Sequence, residues 1–329
     1  MIDLRFEPSR ALRNGHLQTL WSSFGRRYRR VPSEVHTVAV DSLTRVRVRV
    51  NEVHDSRAPA IVLVHGMASQ SDAPYLRALA DKANRAGMHA YRVDLRGCGQ
   101  TESWSPLAYQ AGLTSDLRAV LETVRQRRPQ ARVTLAAWSL GGNMALKLVG
   151  ELGHAARRYV DQVVAVCPPI DLDACATRTD GRGMARVYRA FLLRSLRAQV
   201  RQRARLGQER FEVGARLARA KTLRTFDELV TAPVWHYSDA NEYYRHASAL
   251  PWIARIRVPT WIFATRDDPL VPFEIFEALR LDHDAVRLQR FDHGGHCSFY
   301  ARDRGRDPDR WWIENRLIDL AAVDASLTP

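Results

Sequence analysis

Two short segments near the start of the chain alternate apolar and polar residues. Residues 34–40 and 45–50 flank a turn at Asp41-Ser42. In the second segment Val46, Val48 and Val50 face one way and Arg45, Arg47 and Arg49 the other. A period of two with one charged face predicts a half-exposed antiparallel hairpin. The pattern then changes. Apolar runs at 60–64, 89–94, 133–137 and 162–167 are separated by stretches of helical spacing near 74–87, 114–128 and 141–152. Strand alternating with helix predicts a mostly parallel, doubly wound sheet with helices on both faces. Between 170 and 247 the helical spacing persists without a strand. The sheet pattern resumes at 260–264 and 286–291. The expected organisation is an α/β core formed by residues 1–169 and 248–329, with a helical cap inserted at 170–247.

Composition narrows the class. The chain has 329 residues, 46% of them hydrophobic, enough for a large core. Its four cysteines, Cys98, Cys167, Cys175 and Cys297, show no C-x-x-C spacing. They fit buried or incidental thiols in a reducing cytoplasm better than a disulfide framework. The first residues, Met-Ile-Asp-Leu-Arg-Phe-Glu-Pro, lack the apolar segment of a signal peptide, and no apolar run is long enough to span a bilayer. A cytoplasmic location is therefore expected.

The net charge of +14 raises the question of nucleic acid, but 47 of the 50 basic residues are arginine, which points to coding bias. No helix-turn-helix, zinc-finger or aromatic-basic motif accompanies the charge, so no specific nucleic-acid partner is expected. The charge is uneven. Residues 181–208 hold eight arginines and no acid. There Arg189, Arg197, Arg201 and Arg205 share a face, and Leu192, Leu196 and Val200 form an apolar stripe. Such a helix either meets an anionic membrane peripherally or packs its stripe on the core and solvates its arginines; the second reading is preferred.

The candidate chemistry centres on Ala137-Trp138-Ser139-Leu140-Gly141-Gly142-Asn143, where a strand pattern passes at once into a helix pattern. A serine there, with small residues two before and two after, has the setting of a nucleophile elbow. Its ordinary alternative is a turn serine. A serine hydroxyl needs a base and an orienting acid. Asp267 and Asp268 follow one late strand pattern, and His293 and His296 follow the next. Both pairs fall past strand C-termini, where open α/β sheets build their sites. Asp268, four residues before Pro272, is preferred as the acid. His296, after Gly294-Gly295, is preferred as the base. The loser of each pair is a turn or capping residue. His65-Gly66-Met67 follows the first parallel-strand pattern and offers a second main-chain donor. The expected oxyanion hole is the N–H groups of Met67 and Leu140. His65, Asp94 and Arg96 read as scaffold. No H-x-x-x-H or G-x-G-x-x-G spacing stands in the right context, so no metal and no cofactor are expected.

These motifs are joined by Asn14-Gly15-His16-Leu17-Gln18-Thr19, Arg96-Gly97-Cys98, Thr222-Leu223-Arg224-Thr225-Phe226-Asp227, residues 241–250 and Asp267-Asp268-Pro269. Together they make the chain resemble the YheT-like branch of the α/β-hydrolases, bacterial relatives of the animal α/β-hydrolase-domain lipid esterases. The resemblance covers nearly the whole chain. It implies the α/β-hydrolase fold and a serine hydrolase of carboxylic, lipid-like esters, with Ser139, Asp268 and His296 in the triad positions and a small-molecule ester as partner. Ala137 stands where glycine is usual, and Gly99 where serine is common; neither removes a catalytic group. The N-terminal tag suggests only packing of the arm on the core. Two other readings use the same residues: an acyltransferase with an alcohol replacing water, and a non-catalytic ligand-binding member of the fold, against which the complete triad argues. Trp235, Trp252 and Tyr243 either shape an apolar acyl pocket or pack the cap.

Overall fold

The computed structural model describes residues 2–22, 26, 32–209, 212–281, 283–303 and 305–323. The two alternating segments pair as β1 (Glu34–Ala39) and β2 (Arg45–Asn51), with Val38 opposite Val46. Next come β3 (Ala60–Val64), β4 (His89–Asp94), β5 (Val133–Trp138), β6 (Gln162–Val166), β7 (Thr260–Thr265) and β8 (Val286–Phe291). All eight form one sheet in the order β1-β2-β4-β3-β5-β6-β7-β8. The pairings of β1 with β2 and of β2 with β4 are antiparallel; the rest are parallel. The charged side of β2 is not simply solvated, because Arg47 reaches Asp94 on β4 at 2.7 Å.

Helix α1 (Gly15–Trp21) precedes the sheet, and α2 (Pro74–Arg85), α3 (Ser115–Arg127) and α4 (Leu140–Leu152) cover it. Between β6 and β7 lie α5 (Leu172–Thr179), α6 (Ala185–Arg205), α7 (Val213–Arg219), α8 (Leu223–Phe226), a π-helical turn (Asp227–Thr231), α9 (Ala232–Val234) and α10 (Ala240–Ala247). No strand occurs among the described residues of that stretch. Short α11 (Glu274–Glu277) precedes β8, and α12 (Trp312–Ala322) follows it.

The central strands read as continuous apolar runs because both sheet faces are covered. On β3, Val62 and Val64 join one core and Ile61 and Leu63 the other, all at 0% exposure. Each such side chain contributes about 1.5–3 kcal/mol on burial. The helices between β6 and β7 have a small core of their own, in which Leu193, Val200, Leu217 and Phe226 pack with Leu192 and Leu196. The apolar stripe of α6 thus faces neighbouring helices of that same stretch. Its arginines divide. Arg201 and Arg205 are exposed, but Arg189 donates to the carbonyls of Asp180 and Gly181, and Arg197 to that of Ala220. Arg203, 1% exposed, bonds Glu209 at 2.6 Å and donates to the carbonyls of Glu102, Ser105 and Pro106. Much of the charge in this helix therefore holds it to its neighbours.

Candidate active site

Strand β5 ends at Trp138, and the next residue, Ser139, has φ 50° and ψ −122°. Such a conformation costs a non-glycine residue roughly 1–3 kcal/mol and persists only where its surroundings enforce it. Here close packing enforces it. A Cβ on Gly141 would lie 2.5 Å from the His65 carbonyl oxygen, and one on Gly66 would lie 3.0 Å from Ser139 Cβ. Both glycines let the turn seat against the end of β3. Ala137 keeps regular pairing with Val64 and Ala165, so the turn is confined to the serine.

His296 Nε2 lies 2.9 Å from Ser139 Oγ, and His296 Nδ1 lies 2.8 Å from Asp268 Oδ2. The second oxygen of Asp268 accepts the N–H groups of Leu270 at 2.8 Å and Val271 at 3.0 Å. The carboxylate is 2% exposed and held from both sides. Burial disfavours the imidazolium of His296, but the Asp268 carboxylate and Cys297 outweigh it, so its pKa stands well above the usual histidine value. The competing residues find each other. Asp267 Oδ2 lies 3.6 Å from His293 Nδ1, and Asp267 Oδ1 accepts the Gly295 N–H at 2.8 Å.

Met67 and Leu140 flank Ser139 at the wall of the same cavity. Among the described residues, neither of their N–H groups has an acceptor in the protein. The turn around Met67 is clasped by one buried and two half-buried side chains. His65 Nδ1 donates to the Gly66 carbonyl at 2.8 Å while its Nε2 accepts the Leu95 N–H at 3.2 Å. Burial lowers the His65 pKa, in keeping with a neutral ring. The Tyr75 hydroxyl accepts the Gly66 N–H and the Tyr109 hydroxyl that of Ala68. Asp94 accepts from Ser71, and Arg96 pairs with Asp116; both stay outside the site.

The N-terminal tag forms α1, and its contacts were not legible in the sequence. Asn14 caps the helix by accepting the N–H groups of His16 and Leu17. Gly15 lies so close to Asp267 that a Cβ would sit 1.9 Å from the Asp267 carbonyl oxygen. Gln18 exchanges two hydrogen bonds with the backbone of Tyr300. Thr19 Oγ1 accepts the His296 N–H at 2.8 Å. On its other side α1 meets α6 through a stacked His16–Tyr188 pair bonded at 3.0 Å. Asn143, fully buried on α4, plays a similar part toward α10: its amide donates to the carbonyls of Ala111 and Ala247 and accepts the Ala249 N–H.

Above Ser139 and His296 lies a cavity of 690 Å³ with a mainly apolar wall that includes Met67, Leu172, Leu196, Phe226, Val230 and Leu270. Trp235 and Tyr243 also line it. Trp252 does not; its backbone packs against Gly150 of α4.

Comparison with known proteins agrees with this architecture. Residues 59–303 match a family model described as the alpha/beta hydrolase fold. YheT of Escherichia coli (strain K12) is 29% identical over 95% of this chain and 92% of its own. A monoacylglycerol lipase of Saccharomyces cerevisiae is 27% identical over 79% of this chain, which spans 58% of that relative's length. The solved Pyrococcus furiosus esterase Pf2001 superposes with a TM-score of 0.56 over 91% of this chain and 99% of its own, at 16% identity, a likeness of fold. An eight-stranded, mostly parallel sheet with a sharp serine turn after β5, matched from residue 59 to residue 303 by the family model, makes this chain a member of the alpha/beta hydrolase fold family.

Proposed function

We propose that this chain hydrolyses carboxylic esters through an acyl-enzyme on Ser139. The observation that carries the reading is the unbroken relay from Asp268 through His296 to Ser139, with links of 2.8 and 2.9 Å, under an apolar cavity. His296 Nε2 removes the Ser139 proton as Oγ attacks the ester carbonyl. Asp268 holds the ring by Nδ1 and stabilises the imidazolium that forms. The N–H groups of Met67 and Leu140 receive the oxyanion, a donor pair worth several kcal/mol to the transition state. His296 then protonates the departing alkoxide. Water repeats the sequence and releases the acid.

The apolar wall supports an ester with a hydrocarbon acyl chain, and the lipase among the relatives supports the same substrate class. The test is a panel of acyl esters from short chains to monoacylglycerols, run on wild type and Ser139→Ala, together with a fluorophosphonate probe. Turnover and labelling are expected only with the wild type. Equal labelling of both proteins overturns the assignment of Ser139.

A second reading is acyl transfer. It is favoured by a Saccharomyces cerevisiae relative named medium-chain fatty acid ethyl ester synthase/esterase 2, 28% identical over 77% of this chain, which spans 61% of that relative. The acyl-enzyme is common to both routes. Product ratios with ethanol competing against water separate them.

A further inference from the structure

Behind the candidate base lie two thiols that the hydrolytic cycle does not use. Cys167 follows β6, and Cys297 follows His296, so the two are 130 residues apart in sequence. The fold brings their sulfurs and the imidazole of His296 together, with the three potential ligand atoms all within 4.8 Å of one another. The Cys297 N–H donates to Cys167 Sγ at 3.4 Å, which fixes one sulfur against the other residue's backbone. Cys297 Sγ also reaches the Val166 carbonyl at 3.5 Å and Cys167 Sγ that of Gly295 at 3.8 Å.

We propose that Cys167, Cys297 and His296 form an inhibitory site for a thiophilic divalent cation at the floor of the catalytic cavity. Two thiolates and one imidazole are a ligand set of zinc, with the fourth tetrahedral position left to water. Zinc lies about 2.3 Å from sulfur and about 2.0–2.1 Å from a histidine nitrogen, so its ligand atoms stand roughly 3.5–3.8 Å apart. Three atoms within 4.8 Å need close by only about 1 Å to reach that spacing. Soft sulfur donors select zinc and reject magnesium.

Access and orientation also fit. His296 and Cys297 line the cavity, and Cys167 sits directly behind at 1% exposure, so a cation enters by the substrate route. Metal-bound histidines commonly give their other ring N–H to a carboxylate, which fixes the ring. Asp268 already holds His296 Nδ1 at 2.8 Å. The nitrogen left for a cation is Nε2, the one that faces Ser139 at 2.9 Å. Binding therefore replaces the serine as the partner of His296, and metal and turnover exclude each other. Two protons leave to solvent as the two metal–sulfur bonds and the metal–nitrogen bond form, both from the thiols when the ring is neutral, or one from Cys167 and one from the imidazolium when Cys297 is already a thiolate; no electron is transferred and no oxidant is required.

The inhibition rests on the reading of His296 as the base, whereas the binding does not, and the experiment separates them. Cobalt(II), which reports thiolate ligation by a charge-transfer absorption, is titrated into wild type, Ser139→Ala, Cys167→Ser and Cys297→Ser. Ester hydrolysis is followed in parallel with added zinc, magnesium, and then chelator. Wild type and Ser139→Ala are expected to show the thiolate band at one cobalt per chain. Zinc is expected to abolish wild-type hydrolysis, chelator to restore it, and magnesium to do nothing. Each serine variant is expected to hydrolyse ester and to need at least about tenfold more zinc for half inhibition. Absence of the cobalt band in wild type overturns the proposal without recourse to any variant. So does equal zinc sensitivity in the serine variants. A cobalt band in a protein that turns over no ester leaves the metal site standing and removes the hydrolytic reading instead.

Discussion

The hydroxyl oxygen of Thr19 accepts the backbone N–H of His296 at 2.8 Å, across 277 residues of chain. The same hydroxyl donates to the Gly15 carbonyl at 2.7 Å, so it is fully oriented. Gly15 in turn touches the backbone of Asp267, the neighbour of Asp268. One turn of helix thus sets the loops that carry Asp268 and His296.

Thr19→Val keeps the shape and removes the acceptor. We expect kcat/KM for ester hydrolysis to fall about 10- to 100-fold, because small misplacements of reacting groups carry costs of that order. Thr19→Ser should restore most of it. Parallel steady-state assays of the three proteins check this, and an unchanged Thr19→Val would remove the hydroxyl from the argument.

Gly15→Ala is expected to lower stability by about 1–3 kcal/mol, the usual range for overpacking, since the added methyl meets backbone and not a movable side chain. Urea unfolding measures the loss. Activity should fall as well, because the displaced turn after β7 carries Asp268.

On the proposed mechanism the rate rises with pH, since His296 accepts a proton only when it is neutral. Its raised pKa places the midpoint of kcat/KM above the ordinary histidine value of about 6.5. Asp268→Asn removes the charge that supports the imidazolium, so the midpoint should move down while kcat drops by about 10³- to 10⁴-fold. A pH–rate profile of both proteins decides the matter; a midpoint that stays put in the variant contradicts the assigned cause.

Asp227, in the π-helical turn, accepts from Tyr244 at 2.8 Å and Thr231 at 2.6 Å, yet burial pushes its pKa up from 3.8 to about 6. A carboxyl raised on folding binds its proton more tightly in the native state. Stability therefore falls as pH rises from about 4 to about 6 and stays lower above that, by about 3 kcal/mol at most. Melting temperatures of wild type and Asp227→Asn should lie close together near pH 4, where the carboxyl is neutral like the amide, and separate as pH rises through about 6, the wild type falling relative to the variant. Parallel curves for the two proteins refute the assignment.

Asn143→Ala strands the carbonyls of Ala111 and Ala247 and the N–H of Ala249 in a buried site. The expected loss is about 3 kcal/mol or more, at 1–3 kcal/mol for each orphaned group. Denaturant titration reads it directly.

The strands were legible because their signal is local. Residues 60–64, 89–94 and 286–291 read as strands from their own pattern, and β3, β4 and β8 have those bounds. The two histidines and two aspartates were narrowed to pairs for the same reason. Choosing within each pair depends on side-chain direction in the loops around Asp267 and Gly295, where Gly294 and Gly295 have φ of 142° and 57°. The spacing of Asp268 to Pro272 and the Gly294-Gly295 before His296 supported a preference, and the two preferred residues are the ones that meet at Ser139. Helix α1 was illegible in another way: Gln18 and Thr19 find their partners at Tyr300 and His296, and no periodicity near residue 18 points there. The meeting of Cys167 with Cys297 is hidden likewise, by a separation of 130 residues. Helix α12 closes the core through Leu317 and Leu320, yet it was not foreseen, because its neighbours on the sheet lie far away in sequence.

The separation between Thr19 and His296 also bears on how the molecule is made. A ribosome adds roughly 5–20 residues each second, so α1 is synthesised roughly 14–55 s before the loop it must support. Most of the sheet can assemble in that interval, but the acid and base arrive with the last strands and find their seat only when the first helix docks on them. A nascent or truncated chain therefore holds the serine turn with nothing to drive it. On the proposed mechanism, hydrolytic competence therefore waits until α1 and the His296 loop have met.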